Sequence, residues 1–351
     1  MNSTLDFSTS TADLLTQELD KVVFSGLTAG DALMLTTTVY DGGGSVQRDS
    51  WTSTYYADEE GKVTVSSLAR MWNSYILDEC MRQGAVTPTS PLGGIVVEME
   101  YELDSGGSGS CRRRLWYCRR KTGKTLAALA ATMPLLATTR QVGASSTEIV
   151  SVECPSGVSL RVTSTYVKNG EVLTHDDPLF YLGTNAYRAV ANVSPSVVAA
   201  LLPVGGVLKE YKVYTDVTGA PGNNATYVVD DHHRPWQTVL CWLNNYGAWE
   251  TIRLGGIKSL VLDAKREYAI AGDGWTSFDA EAYETMTAYT AHSTKEVGEQ
   301  LRDISDTPLA FVLEDGAWVR VNIEDVDLER RLPSNEATVG SVTYKHAEDI
   351  Y

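Results

Sequence analysis

The sequence predicts a mainly β fold, built as two β-sandwich-like domains with a few short helices. Short runs rich in Thr, Val, Tyr and Trp recur along the chain, and turn signals such as Asp41–Gly44 and Asp58–Gly61 separate them. Apolar residues at helical spacing are confined to a few short stretches. A length of 351 residues is enough for two or three domains with their own cores.

The first half begins with four predicted strands, at residues 22–24, 32–40, 50–56 and 62–65. A helix is predicted over about residues 66–83, with Ser66 or Ser67 as its cap. Its apolar stripe has the helical spacing i, i+3, i+4, i+7 and i+11, at Leu68, Met71, Trp72, Tyr75 and Glu79. Two further strands, 94–103 and 111–120, are joined by a Gly/Ser segment and therefore predict a hairpin.

Gly and Ser residues follow an Ala/Leu stretch near residues 140–146, which predicts a domain boundary there. The predicted domains are residues 1–143, with the helix, and residues 144–351. The second domain carries short helices at 194–202 and 295–303. Its predicted strands are 148–153, 159–167, 186–192, 207–217, 225–229, 251–254, 256–265, 267–270, 309–313, 318–321 and 338–345.

Charge and cysteine content exclude several classes of protein. The net charge of −16 repels nucleic acid and anionic lipid surfaces. The N-terminal residues lack a signal peptide, and the apolar run 126–137 is too short to span a bilayer, so no membrane insertion is expected. Five Cys without regular spacing indicate free thiols in a reducing cytoplasm.

Two motifs resemble catalytic or binding signatures but lack required parts. Thr122–Thr125 imitates the end of a phosphate loop, yet Cys118 stands where that loop needs Gly. Asp230–His233 suggests a metal site, but adjacent His on a strand point to opposite faces, which favours a polar turn. The chain also has no Gly-x-Ser-x-Gly elbow. We therefore expect a protein that is not an enzyme and holds no metal or cofactor.

Residues 234–251 form the most informative segment, a predicted hairpin that gathers three Trp and one Tyr around a tight Asn turn. Aromatic rings beside Asn amides suit a protein interface or a sugar ring. They equally suit a structural staple in which the rings cover the hairpin and the amides close its backbone. The candidate binding residues are Trp242, Asn244, Asn245, Tyr246 and Trp249.

The hairpin of the first domain supplies a second candidate, a basic patch. Glu98, Glu100 and Glu102 share one face of a strand, and the facing strand is rich in Arg. The Arg side chains either pair with these carboxylates inside the chain or dock an acidic neighbouring subunit. The candidate interface residues are Arg112, Arg114, Arg119 and Arg120.

Two phrases resemble tail-associated structural proteins of phages and prophages of gut bacteria. The first is Pro235-Trp236 followed by Trp242-Leu243-Asn244-Asn245-Tyr246-Gly247-Ala248-Trp249-Glu250-Thr251. The second, less specific, is Tyr55-Tyr56-Ala57-Asp58-Glu59-Glu60-Gly61-Lys62-Val63-Thr64-Val65-Ser66-Ser67-Leu68. The resemblance covers about a tenth of the chain and implies β-sandwich domains, symmetric packing and a virion part made in a bacterial cytoplasm. It transfers no catalytic residues.

The sequence thus predicts a structural subunit of a phage tail tip, baseplate or fibre-attachment assembly. Its expected partners are further copies of itself and other tail proteins, with no nucleic acid. The alternative is a carbohydrate-binding protein for host attachment that uses Trp242, Tyr246 and Trp249 as platforms for a surface glycan. A glycan-cleaving depolymerase is the third hypothesis, because carboxylate separation cannot be read from sequence.

Overall fold

The fold is given by a computed structural model. It describes residues 2–3, 13–84, 86–90, 92–120, 139–153, 158–182, 188–215, 224–230, 237–271, 274–290, 295–330 and 338–347. Strands dominate and the helices are short, so the prediction of a mainly β fold with a few short helices is confirmed. The phosphate-loop imitation at Thr122–Thr125 and both His of the Asp230–His233 motif lie outside the described residues.

The chain divides into two compact units. The first comprises Met1–Ala130 together with Asn245–Gly247, and the second comprises Ala131–Asn244 together with Ala248–Tyr351. This division falls after Ala130, whereas the sequence predicts a boundary after residue 143. The strand Thr139–Gly143 pairs in parallel with Asn224–Asp230 of the second unit, and these backbone hydrogen bonds outweigh the Gly/Ser signal that follows it.

The first unit contains two sheets. Their strands are β1 (Asn2–Ser3), β2 (Leu14–Leu15), β3 (Val22–Ser25), β4 (Ala32–Tyr40), β5 (Gln47–Tyr56), β6 (Lys62–Val65), β7 (Ile95–Leu103) and β8 (Ser108–Trp116). One sheet has the order β2-β8-β7-β4-β5 and the other has the order β1-β3-β6. The predicted hairpin is confirmed as β7–β8, with Glu98 directly opposite Arg112.

The predicted helix of the first unit is α1 (Leu68–Arg82). A 3-10 turn at Thr16–Leu19 lies earlier in the chain, between β2 and β3. The N-cap of α1 is Ser67, but the Ser67 side chain makes no cap hydrogen bond. The Asp20 carboxylate accepts the Ala69 backbone N–H at 3.0 Å instead, which satisfies one of the free donors at the helix start. A distant side chain thus supplies the cap that the sequence assigns to a local Ser.

The second unit contains three sheets. Its strands are β9 (Thr139–Gly143), β10 (Ile149–Glu153), β11 (Val158–Lys168), β12 (Glu171–Leu182), β13 (Arg188–Asn192), β14 (Val207–Thr215), β15 (Asn224–Asp230), β16 (Thr238–Leu243), β17 (Trp249–Leu254), β18 (Lys258–Ala271), β19 (Gly274–Tyr289), β20 (Ala310–Glu314), β21 (Ala317–Arg330) and β22 (Thr338–His346). The strand orders are β10-β13, β12-β11-β14-β15-β9 and β17-β16-β20-β21-β22-β19-β18.

Two cores lie in the second unit. In the first, side chains of the five-stranded sheet pack with β10, β13 and the helix α2 (Pro195–Ala199). In the second, Leu301 and Ile304 of the helix α3 (Lys295–Ile304) pack on the seven-stranded sheet. The seven-stranded sheet is therefore covered by a helix, whereas the five-stranded sheet meets a second small sheet, as in a sandwich.

Candidate functional site

The Trp/Asn segment folds as the hairpin β16–β17 around a turn that Asn244 closes. The backbone N–H of Asn244 donates a hydrogen bond to the backbone carbonyl of Ala248 at 2.8 Å. The Asn244 side-chain oxygen also accepts the Ala248 N–H at 2.9 Å. Gly247 has a φ of +71°, the left-handed conformation that Gly adopts without steric cost. The Asn amide therefore stabilises the turn, as its sequence suggests.

The two Trp rings of this hairpin are buried. Trp242 is 0% and Trp249 is 2% exposed. The Trp242 indole N–H donates to the Asp303 carboxylate of α3 at 2.8 Å, and the Trp249 ring meets Phe311 edge-to-face at 5.6 Å. A sugar platform needs an exposed ring face. The glycan alternative therefore has no such face at Trp242 or Trp249, and the rings occupy the positions of a core staple. Tyr246 is also nearly buried, at 9% exposure.

A buried ion pair lies directly beside this turn, in the second unit. Arg140 of β9 donates to the Glu250 carboxylate at 2.5 Å, and both side chains are at most 10% exposed. Arg140 also donates to the Thr251 backbone carbonyl at 3.1 Å, and the Asn244 amide donates to Glu250 at 3.3 Å. Burial opposes the charge of Arg140, but the neighbouring Glu250 carboxylate holds the Arg140 pKa above its usual value. Burial also raises the pKa of Glu250, although Arg140 and the Asn244 amide oppose that shift. Arg140 therefore stays protonated, and its charge is what favours the ionised form of Glu250.

A second buried carboxyl, Glu148, extends this network. The Thr251 hydroxyl donates to Glu148 at 2.5 Å, and the Ser151 hydroxyl accepts the Trp249 backbone N–H at 2.7 Å. Burial raises the Glu148 pKa above its usual value, although the Thr251 hydroxyl and Arg140 oppose the shift. Glu148, Ser151 and Thr251 are all buried and bond to protein groups rather than lining an open cleft. The network therefore fixes the strands around the turn.

No signal in the sequence predicts this network. Arg140, Glu148 and Glu250 are far apart in the chain, and none belongs to a recognisable spacing. Only the parallel pairing of β9 with β15 brings Arg140 toward β17.

Arg112 of the basic patch contacts residues of its own sheet. Arg112 lies 3.5 Å from the Glu98 carboxylate and 4.4 Å above the Tyr40 ring, and it also bonds to the Gly44 carbonyl. Charge pairing across β7–β8 is thus present at Glu98. Glu100 and Glu102 instead face Ser110 and Ser108.

The other three Arg of the patch differ from Arg112 in position. Arg114 is half-buried and lies opposite Val96, and Arg120 is exposed. The backbone and guanidinium of Arg119 donate to the backbone and side-chain oxygens of Asn245, at 2.8 and 3.1 Å, within the first unit. Docking of an acidic neighbour at Arg112, Arg114, Arg119 and Arg120 stays a prediction.

Several exposed apolar residues lie on a ribbon at one edge of the seven-stranded sheet. β18 pairs with β19 along its whole length, but β19 pairs with β22 only at Met286–Tyr289. We call residues 261–271 and 274–285 the ribbon, because among the described strands they pair only with each other. A two-stranded hairpin is marginally stable in water by itself.

Apolar side chains cover both faces of the ribbon. Val261, Leu262, Tyr268 and Trp275 are each at least 50% exposed. Val261 and Leu262 are consecutive, so they point to opposite faces. Leu260 and Ile257, at the base of the ribbon, are similarly exposed. Exposed apolar residues gathered on one projecting element are typical of an interaction surface.

The sequence indicated a strand here but not its exposure. The run Leu260-Val261-Leu262 is continuous and apolar, which favours a strand buried on both faces. Its return strand β19 was not predicted at all. Exposure is a property of the assembled sheet, so these residues could not be identified as surface residues from the pattern alone.

Within the described residues, no group of three or more His, Cys, Asp or Glu is placed to hold a metal ion. The described part of the chain also has no helix that is long and apolar enough to cross a membrane.

Neither a family model nor a curated protein matches the chain. Among solved structures, the chain is similar to one that gives structural insight into host cell surface retention of a 1.5-MDa bacterial ice-binding adhesin. That match is 11% identical, covers 96% of this chain and 98% of the other, and has a TM-score of 0.15. Likeness at that score carries no argument about fold or function.

Proposed function

We propose that this chain is a structural subunit of a phage tail tip, baseplate or fibre-attachment assembly that acts through protein–protein interfaces. The observation that carries the proposal is the ribbon, an apolar two-stranded projection with no covering element among the described residues. Such a projection becomes stable when a neighbouring chain covers it. The resemblance of the Trp/Asn hairpin to tail-associated proteins supports the choice of assembly.

The buried network supports a structural role for the candidate residues. Trp242, Trp249 and Asn244 hold the β16–β17 hairpin, and Arg140 with Glu250 ties β9 to it. A scaffold that is fixed in this way presents its projecting elements in defined positions. The proposed interface therefore lies outside this hairpin, on the ribbon.

Mass spectrometry of gradient-purified particles from a lysate that expresses the gene tests the proposal. We expect peptides of this chain to co-sediment with capsid and tail proteins at fixed stoichiometry. The variant Val261→Lys, on the ribbon, should be depleted from the particles. The control Val204→Lys changes a 95% exposed apolar residue outside the ribbon and should be incorporated normally. A parent chain that stays in the soluble fractions would contradict the proposal.

A further inference from the structure

We infer that the ribbon is a self-association element, in which β18 pairs antiparallel with β18 of a second copy to form a two-fold dimer. This inference rests on the proposed function and names the first partner of the subunit, a second copy of this chain.

The backbone of β18 is available for such pairing. β18 is the outermost strand of the seven-stranded sheet, so one of its edges has no strand neighbour among the described elements. An edge strand presents free N–H and C=O groups that can template another strand. β18 extends over 14 residues and contains no Pro or Gly. Its pairing with β19 has an irregularity at Glu267/Tyr268, where β19 carries the extra residue and β18 itself runs on regularly.

The sequence of β18 is complementary to itself in the antiparallel direction. When two copies overlap over the full strand, Lys258 stands opposite Ala271, Val261 opposite Tyr268, and Asp263 opposite Arg266. Each of these pairs occurs twice because of the two-fold symmetry. Opposite charges and aromatic–β-branched pairs are favourable across strands, and this register sets no like charges directly opposite one another. Leu262 opposite Glu267 is the unfavourable pair.

Within the hairpin, neither Arg266 nor Asp263 stands directly opposite a charged residue, since Arg266 pairs with Ala280 and Asp263 with Tyr283 of β19. A second β18 places an opposite charge directly across from each of them.

β12, a second edge strand that exposes apolar residues in the described part of this unit, is a poorer acceptor. β12 is the outermost strand of the five-stranded sheet and exposes Val172 and Tyr181. It carries Pro178, which cannot donate to an added strand, and its Asp176 is engaged by Arg161. Charges and Pro on an edge are features that prevent pairing. Of the two edges, β18 is the one suited to association.

Pairing of two β18 strands solves the stability problem of the ribbon. The product is a four-stranded sheet of β19-β18 and the same two strands of the second copy. Three or more strands with a hydrophobic face can be stable where two are not. The closed two-fold arrangement also accounts for one interface per copy, without open-ended growth.

Charge reversal tests the pairing in the full-length chain. The measured quantity is the dimer dissociation constant from analytical ultracentrifugation. Arg266→Asp and Asp263→Arg each create two like-charge pairs and should raise that constant on the order of tenfold. The double variant D263R/R266D restores both pairs and should return the constant to the parental value. The control Arg70→Asp changes the net charge equally at an exposed site on α1 and should have little effect.

Cysteine cross-linking tests the register. V261C and Y268C place one thiol each at positions that face one another only between copies. An oxidised mixture of the two variants should give a disulfide-linked dimer, and either variant alone should give no more than the parent chain. The two Cα atoms of a cross-strand pair are about 4.5–5.5 Å apart, within the range that a disulfide bridges.

The inference is overturned if the parent chain is monomeric at all concentrations. It is also overturned if R266D and R70D have the same dimer dissociation constant, or if the double variant does not recover the parental constant. These outcomes are distinct from failure of the proposed function. Particle co-sedimentation with a monomeric purified chain would leave the structural role intact and reject the β18 pairing. If the chain forms the β18-linked dimer but is absent from the particles, the β18 pairing stands and the proposed structural role is rejected.

Discussion

Arg140 is an arginine whose guanidinium lies inside the second unit, 2.5 Å from the Glu250 carboxylate. Burial removes both charges from water, and only their mutual attraction and added hydrogen bonds compensate for that cost. Arg140 also donates to the Thr251 carbonyl, and Glu250 accepts from Asn244. These residues therefore depend on one another, and the loss of any one leaves an uncompensated polar group.

Replacement of Arg140 by Met should lower the free energy of unfolding of the second unit by about 3–5 kcal/mol, because Glu250 is left buried and unpaired. Urea unfolding followed by Trp fluorescence measures this loss. The double variant R140M/E250Q should lose less than the two single variants together, because it leaves no lone charge. The exposed pair Lys345–Glu324 provides the control, and K345M should cost at most about 1 kcal/mol. Equal losses in R140M and K345M would refute this account.

Glu148 should make stability depend on pH. Burial raises its pKa in the folded chain above the value of 4.5 that it has when exposed. The folded state therefore binds this proton more tightly than the unfolded state. The stability contributed by this proton is complete below pH 4.5 and is lost as the pH rises through the raised folded pKa. Since Gln cannot ionise, Glu148→Gln should flatten this fall.

Unfolding free energies of the parent and E148Q at pH 4.5, 6 and 8 measure the effect. We expect the difference between E148Q and the parent to shift in favour of E148Q as the pH rises. Parallel curves for the two proteins would show that the buried carboxyl does not control the pH dependence.

At the scale of elements, the turn between β5 and β6 shows how tightly one connection can be specified. The Asp58 carboxylate accepts backbone N–H groups from Glu60 and Lys62, at 2.9 and 2.8 Å. Gly61 has a φ of +69°, and a Cβ there would lie 2.2 Å from the Leu27 carbonyl oxygen. Only Gly meets both conditions, so the predicted acidic Gly turn has a physical cause.

Gly61→Ala should destabilise the first unit by about 2–4 kcal/mol, since left-handed strain and overpacking act together. Gly30→Ala is the matched control, because Gly30 has a similar φ of +86° but nothing within 4 Å of the added Cβ. We expect a loss of about 1 kcal/mol for G30A. Thermal unfolding of both variants measures the difference, and equal losses would mean that the Leu27 carbonyl moves aside freely.

The strength of the local sequence pattern explains which elements were predicted and which were missed. The helix α1, the hairpin β7–β8 and the Asp58–Gly61 turn follow from spacing and turn chemistry, and all are present. β12 and β19 were not predicted. β12 contains Pro178 and adjacent Asp residues, which only an edge strand tolerates, and β19 alternates Ala with Glu, a weak strand pattern. Edge position arises from the order of strands in a sheet, which no local window contains.

The candidate site was predictable to a similar extent. The sequence identified the Trp/Asn hairpin as important, and the structure places Asn244 in its turn. The burial of Trp242 and Trp249 and the pairing of Arg140 with Glu250 depend on residues more than 60 positions away. Burial and long-range ion pairs are therefore consequences of topology rather than of the local sequence.

At the scale of the whole molecule, the net charge of −16 opposes association of identical copies. The ribbon exposes Val261, Tyr268 and Trp275, whose apolar attraction changes little with salt. Added salt screens the long-range repulsion, because the Debye length falls from about 30 Å at 0.01 M to about 10 Å at 0.1 M. Self-association should therefore strengthen as the ionic strength rises.

Sedimentation velocity at 10 and 150 mM NaCl measures this effect. We expect a larger associated fraction at 150 mM for the parent chain. The variant Val261→Lys should respond much less, since it lacks the apolar contact with Tyr268 that screening would favour. A parent chain that dissociates as salt is added would show that local ion pairs, rather than apolar surface, drive the association.

The composition of the first unit has a consequence for synthesis of the protein. Asn245–Gly247 belong to that unit, and the Asn245 oxygens accept two hydrogen bonds from Arg119. The ribosome makes these three residues about 115 positions after Ala130. At roughly 5–20 residues per second, these residues are made on the order of 6–20 s after Ala130, and the first unit is incomplete during that time. A chain that ends at Ala130 would lack Asn245–Gly247, so residues 1–130 alone do not contain the whole first unit.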